Sequence, residues 1–392
     1  MTTEPTIDIE DVRLRMNQIV TELEDEHIGE QQHDVGVMGI LCLASCSHLL
    51  QFGSFGNNKS RIVTDLMRRV TGMNAFVLGS SRFSTKGDMV GSLDMKALDE
   101  GKHRYNTIGM FPEAHVAFLD EVLEMGDALV KELHAPMNER RFSNGGQWIQ
   151  TPTISVFGAT NVDPDDAIEG KSAFLDRWHL RIKVEYPQSL TEITKIRKLN
   201  RRHRLLSASS KQEQVTTITL QELYAVHRAV LHVGVPKEID EAIFKIQKKL
   251  FMEHGIVTSP RRLAAVDPII QASAWLRGNS EVDMSDLAVL KYAFWNRYED
   301  IAAVDKVMAV EAKSHISQSN ELLKDVEKIW NHFQTLDKGD VKKLQLRAQV
   351  DEKTLKLSRM KDDLERRGKD PGVIEKAFDR AQLIQHNMVR SM

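Results

Sequence analysis

Apolar positions follow two rhythms along the chain. Before residue 187, short unbroken apolar runs alternate with amphipathic stretches. Leu49-Leu50-Gln51-Phe52, Phe76-Val77-Leu78, Val116-Ala117-Phe118-Leu119 and the run from Ile154 to Thr160 read as strands buried on both faces. Val12, Met16, Ile19, Val20 and Leu23 recur at helical spacing and predict a lead-in helix within 10–35. Residues 61–70 and 124–134 predict further helices. Residues 141–153 predict a hairpin, with Asn144-Gly145 supplying the left-handed turn positions. Buried strands separated by helices imply a mainly parallel sheet flanked by helices, an α/β core.

After Pro187 the strand pattern ceases. Residues 219–233, 236–253, 260–276 and 285–295 predict helices, with a polar loop at 207–217. Thr219 and Glu222 fit a capping box, Ser285 a cap and Pro260 a first helical position. From 311 onward the chain is mixed-charge, and Leu322, Val326, Ile329, Phe333 and Leu336 repeat near heptad spacing. Gly339 predicts a helix stop, and Asp370-Pro371 a cap followed by a first-turn proline. Three domains are expected: an α/β core over 1–187, an all-α domain over 188–310 and a C-terminal helical bundle or coiled hairpin over 311–392.

Composition narrows the class. The 41% hydrophobic and 28% charged content is that of an ordinary folded protein. No apolar run approaches the about 18 residues that span a bilayer, so no membrane crossing is expected. The polar, acidic start carries no leader pattern, and a cytoplasmic location is expected. Cys42 and Cys46 lie one helical turn apart without a partner pair at zinc spacing, so they read as buried side chains. A net charge of −3, with an acidic N-terminal segment, gives no general electrostatic case for nucleic acid.

The candidate chemistry begins where the first strand ends. Gly53, Ser54, Phe55, Gly56, Asn57, Asn58, Lys59, Ser60 and Arg61 form a glycine-bearing loop entering a helix, the arrangement that cradles phosphate with backbone N–H groups. Lys59 would reach the β- and γ-phosphates of ATP, and Ser60 would ligate Mg²⁺. Asn58 stands where such loops usually carry a second glycine; asparagine tolerates left-handed backbone. Asp120 and Glu121 end the third predicted strand, where Asp120 would support Mg²⁺ and Glu121 would orient water. Asn161 ends the next strand and could hold the same water. Arg177 could serve a neighbouring subunit, and Arg261 or Arg262, opening a helix, could reach a nucleotide; each also reads as a surface arginine.

A long block resembles the MoxR family of AAA+ ATPases, in its RavA-type branch. It comprises Arg82-Phe83-Ser84-Thr85 to Gly91-Ser92-Leu93, Arg104-Tyr105, Gly109, Pro112-Glu113-Ala114, Phe118-Leu119-Asp120-Glu121, Asn138-Glu139-Arg140, Phe142 and Asn144-Gly145. The similarity covers roughly residues 10–300. It implies a P-loop AAA+ core, a helical lid and a C-terminal appendage. By that resemblance Lys59 and Ser60 belong to Walker A, Asp120 and Glu121 to Walker B, Asn161 to sensor 1, Arg177 to the arginine finger and Arg261 to sensor 2, with Arg262 as its fallback. Residues 86–110 match the helix-2 insert and 141–153 the hairpin before sensor 1. Phe55 departs from the proline usual there. The family implies a homo-oligomer, commonly a hexamer, remodelling a protein client with a von Willebrand factor A domain partner. Two other readings stay open: a nucleic-acid-stimulated AAA+ motor, and a nucleotide-gated scaffold without catalysis.

Overall fold

The computed structural model describes residues 7–27, 30–54, 59–187, 189–209, 215–312, 315–336, 341–366 and 371–391. The described chain contains the strands β1 (Leu49–Phe52), β2 (Val70–Thr71), β3 (Ala75–Gly79), β4 (Val116–Asp120), β5 (Arg141–Asn144), β6 (Gln147–Gln150), β7 (Ser155–Thr160), β8 (Leu180–Lys183) and β9 (Ile218–Thr219). Five of them form one parallel sheet in the order β3-β4-β7-β1-β8. β1 and β7 are buried throughout, and β4 to its last residue, which is why their sequences are continuously apolar. β3 lies at an edge and leaves Val77 exposed.

β8 is a strand the apolar pattern did not announce. Leu180-Arg181-Ile182-Lys183 alternates like an exposed segment, yet Arg181 is buried. Its guanidinium donates to the carbonyls of Trp295 (3.0 Å) and Leu175 (2.8 Å), so the charge enters the interior already hydrogen-bonded. The β2–β9 pairing is only two residues long and was likewise invisible.

Several boundaries differ from the predicted ones. The lead-in helix is Ile9–Glu26, capped by Asp8 and buried at Val12, Met16, Ile19 and Leu23; a second helix, Glu30–Ser45, follows. The helix predicted from 124 begins at Asp127, after a 3₁₀ turn at Val122–Glu124. In the hairpin, Gly145 (φ 63°) and Gly146 (φ 80°) make the two-residue turn, while Asn144 closes β5. The Asn144 carboxamide is instead spent on the Tyr105 backbone, tying the hairpin to the 86–110 segment.

The helical region bears out the Thr219–Glu222 capping box and the Pro260 start, which Ser259 caps. The predicted 260–276 helix divides into Pro260–Ala264 and Val266–Leu276. The helix predicted over 285–295, with Ser285 as its cap, is a 3₁₀ helix, Met284–Tyr292, capped instead by Asp283, which accepts the Ser285 N–H. The helix Leu190–Ser209 runs into the predicted loop, of which 210–214 lie outside the described residues. The chain divides at Met308/Ala309 into two compact units. In the second, helices His315–Gln334, Val341–Arg366 and Gly372–Arg390 bury Val326, Phe333, Val350, Leu357, Ala377, Ala381, Ile384 and Met388 among themselves. Pro371 occupies the cap rather than the first turn, and Gly339 and Asp370 lie outside the described residues.

Two polar clusters tie the first unit together. Glu26, His27 and Asp65 lie within 4.8 Å of one another, a set of metal-ligand types. Arg69 pairs with Glu22 and Glu26, and Arg61 and Arg68 approach Asp65, so guanidinium groups already balance these carboxylates. The cluster is an ion-pair network joining the first helix to Lys59–Arg68.

Deeper, the His48 and His179 rings stack at 5.1 Å. His48 Nδ1 accepts the Val156 N–H (3.0 Å) and Nε2 donates to the Met137 carbonyl (2.9 Å), which fixes a neutral ring. Burial, then the Arg140 charge, push His179 down to about 4 and His48 well below its ordinary value. The unfolded chain takes up these protons near pH 6.5, whereas the folded chain refuses them. Stability is therefore full above that value and falls as pH drops toward 4, by about 1.4 kcal/mol per pH unit per ring. The urea midpoint should fall between pH 7.5 and 5.5, and less steeply in His179→Phe. Equal pH dependence in the two proteins would show that His179 is already charged in the fold.

Candidate functional site

The C-terminal ends of β1, β4 and β7 lie side by side, and the candidate residues follow directly from them. Gly53 continues β1, its N–H donating to the Thr160 carbonyl (3.1 Å). A Cβ at Gly53 would stand 2.3 Å from the Val184 carbonyl oxygen, so only glycine lets the chain turn here. Ser54 follows; Phe55, Gly56, Asn57 and Asn58 lie outside the described residues. The helix Lys59–Arg68 then opens. Lys59 is buried, and its ammonium donates to the Gly53 carbonyl and to the Thr160 carbonyl (2.9 Å). Arg61 sits two positions further on, 3.8 Å from Asp65.

Ser60 Oγ donates to Asp120 Oδ2 at 2.7 Å, joining the helix start to the end of β4. Asp120 Oδ1 accepts the Glu121 N–H (3.1 Å). Glu121 has left-handed backbone (φ 51°, ψ 39°), which costs a non-glycine residue about 1–2 kcal/mol. That geometry breaks the strand line sharply and brings the Glu121 carboxylate to the end of β7, where it accepts the Asn161 N–H at 3.2 Å. The contact from Asn161 is its backbone N–H, whereas the sequence had directed attention to its carboxamide.

The electrostatics are those of a half-desolvated cleft. Burial pushes Glu121 above the usual carboxylate range, against the pull of the Asn161 N–H and the Lys59 charge. Burial lowers Lys59, opposed by Glu121 and Asp120. The donor set fits a magnesium nucleotide: a hydroxyl and a carboxylate in contact make a hard oxygen pair, beside an ammonium at a helix N-terminus.

A second group forms around Asp176. Arg261 Nη1 donates to Asp176 Oδ2 (3.0 Å), while Arg262 Nε lies 3.3 Å from Oδ1. Arg262 is buried and also donates to the Ala293 carbonyl (3.1 Å) and Asn296 Oδ1 (2.6 Å). Its fork is thus committed to the junction between core and helical domain. Arg177 donates to the Ala173 carbonyl, and burial, then the nearby Arg261 charge, lower its affinity for its proton. Among the described residues, the partners of Lys59, Ser60, Asp120, Glu121 and Asn161 include neither Arg177 nor Arg261. A cavity of about 490 Å³ beside this group is lined by Asp176, Arg181, Asn296 and Arg297, among others. Sequence reasoning passed over Asp176, although its place directly before Arg177 was the available signal.

A five-stranded parallel sheet with this site at its carboxyl edge, followed by a helical domain, is the architecture of an AAA+ core with its lid. The chain belongs to the family described as the MoxR domain in the MoxR-vWA-beta-propeller ternary systems, whose profile matches residues 14–227. An AAA lid domain matches residues 238–308. Two uncharacterized proteins of Methanocaldococcus jannaschii are 28% and 26% identical; the alignments cover 82% and 85% of this chain and 83% and 84% of those proteins. A crystal structure from Cytophaga hutchinsonii, described as a candidate ATPase, superposes with a TM-score of 0.59 at 14% identity. It covers 77% of this chain and 95% of that one, a likeness of fold. Among the described residues no helix is long and apolar enough to cross a membrane.

Proposed function

We propose that this chain is an ATP hydrolase that works as an assembled ring, of the RavA type, remodelling a protein client in the cytoplasm. The observation that carries the reading is the array of Lys59, Ser60–Asp120 and Glu121–Asn161 across three adjacent strand ends. Gly53 and the 53–61 loop bring backbone N–H groups to the phosphates. Lys59 exchanges its two carbonyl partners for phosphate oxygens. Mg²⁺, held by Ser60 and Asp120, would neutralise charge on the β- and γ-phosphates. Glu121 accepts a proton from the attacking water, and its raised proton affinity suits that task.

Arg261 pairs with Asp176, and Arg177, bonded to the Ala173 carbonyl, lies close enough to feel both charges; neither is spent on its own chain's Lys59 or Glu121, which supports their offering charge to the nucleotide of a neighbouring subunit. A hexamer is the expected assembly. The family's description names von Willebrand factor A and β-propeller proteins as companions, and a partner of the first kind is proposed here.

The test is ATP hydrolysis per subunit over a dilution series, with Lys59→Ala beside it. Specific activity should rise with concentration, and Lys59→Ala should lower turnover by about 10²–10³-fold. Concentration-independent turnover would remove the shared-site part of the reading. Turnover indifferent to Lys59 would remove the hydrolase itself.

A further inference from the structure

Lys171 is a half-buried cation that no part of the proposed reaction uses. Its ammonium donates to two carbonyls of the turn that follows Glu121, those of Leu123 and Met125 (2.8 Å to the latter). The turn buries the apolar side chains of Val122, Leu123 and Met125, and Glu121 at its start has left-handed backbone. Strained backbone persists only where surrounding contacts fix it. The Glu124 N–H closes the turn onto the Glu121 carbonyl (2.9 Å), and Lys171 holds its far side. Burial lowers the Lys171 proton affinity while Asp127 raises it, consistent with a half-buried ammonium committed to these oxygens.

Lys171 also breaks its own helix. Within Pro164–Leu175 its backbone (φ −126°, ψ 20°) leaves helical geometry, and the segment after the break leads through Asp176 into Arg177. One side chain therefore joins the turn that aims Glu121 to the segment that carries Arg177.

We propose that Lys171 is a positioning residue for hydrolysis: by clamping the Leu123 and Met125 carbonyls it fixes the Glu121 carboxylate and ties it to the Arg177 segment. This rests on the hydrolase reading. A neutral side chain of similar length leaves the turn without its clamp, and a carboxylate displaced by about 1 Å loses up to about 10²-fold in rate.

The experiment compares wild type, Lys171→Met and Lys171→Arg as full chains, with rates normalised to bound fluorescent ATP analogue and amide exchange followed peptide by peptide. Lys171→Met should lower kcat about 10-fold to 10²-fold with KM for ATP within about twofold of wild type. Exchange should quicken at 122–126, and Lys171→Arg should restore most of the rate. An unchanged kcat, or unchanged exchange at 122–126, would overturn the positioning role and leave the hydrolase standing. Protection lost throughout the chain would make Lys171 a residue of general stability and overturn the proposal. A wild type without Lys59-dependent turnover would overturn the hydrolase reading, and this inference with it.

Discussion

Glu121→Gln is expected to lower ATP turnover by about 10²–10⁴-fold while leaving nucleotide binding near the wild-type level. The glutamine keeps an oxygen to accept the Asn161 N–H, so the end of β7 and the turn at 122–124 have no reason to move. What it loses is the ability to take a proton. Ser60, Asp120 and Lys59, which contact the phosphates and the ion in the proposed reading, are untouched. Binding and turnover should therefore separate, as they would not in Lys59→Ala.

The pH profile gives a second check. Burial holds Glu121 above the ordinary carboxylate range. Its proton is then gained at higher pH than a surface glutamate would gain one, and wild-type kcat should decline on the acid side from that point. In Glu121→Gln the residual rate should lack this acid limb. Measurements of single-turnover phosphate release and of analogue binding decide the matter. A variant that hydrolyses within about twofold of wild type would place the water-activating group elsewhere.

The parts legible in the sequence were those whose burial is two-sided. β1, β4 and β7 are enclosed by neighbours and helices, so their apolar runs and their polar ends stood out together. That coincidence marks Lys59, Asp120, Glu121 and Asn161 as strand-end neighbours from the sequence alone. β8 was hidden because Arg181 is paid for by the Trp295 carbonyl, far away in sequence. The Asn161 contact was hidden because a backbone N–H leaves no mark on residue choice. The Asp176 clamp depends on where the helical domain settles, which local periodicity cannot specify. Lys171 was hidden because its acceptors are backbone carbonyls, which every residue carries whatever its side chain.

Removing Arg177 is expected to cost still more, about 10³–10⁵-fold in kcat, if it supplies transition-state charge as arginine fingers do. Its present hydrogen bond is to the Ala173 carbonyl in the last turn of the preceding helix, so Arg177→Ala leaves no buried charge stranded. Arg261→Ala is comparably mild for the fold, since Asp176 retains Arg262. Arg262 itself would be a poor probe, because its loss strips donors from the Ala293 carbonyl and Asn296 at the domain junction. The decisive measurement mixes two inactive proteins. Glu121→Gln subunits keep their arginines, and Arg177→Ala subunits keep their carboxylate. In a head-to-tail ring assembled from equal amounts, about one quarter of the interfaces would join an intact Glu121 to an intact Arg177. Activity should then reappear on mixing and vanish on dilution. If Arg177 serves its own chain's nucleotide, every subunit in the mixture remains defective and no activity returns. The same mixing with Arg261→Ala asks whether the two arginines act across one boundary, as the nearness of their charges supports.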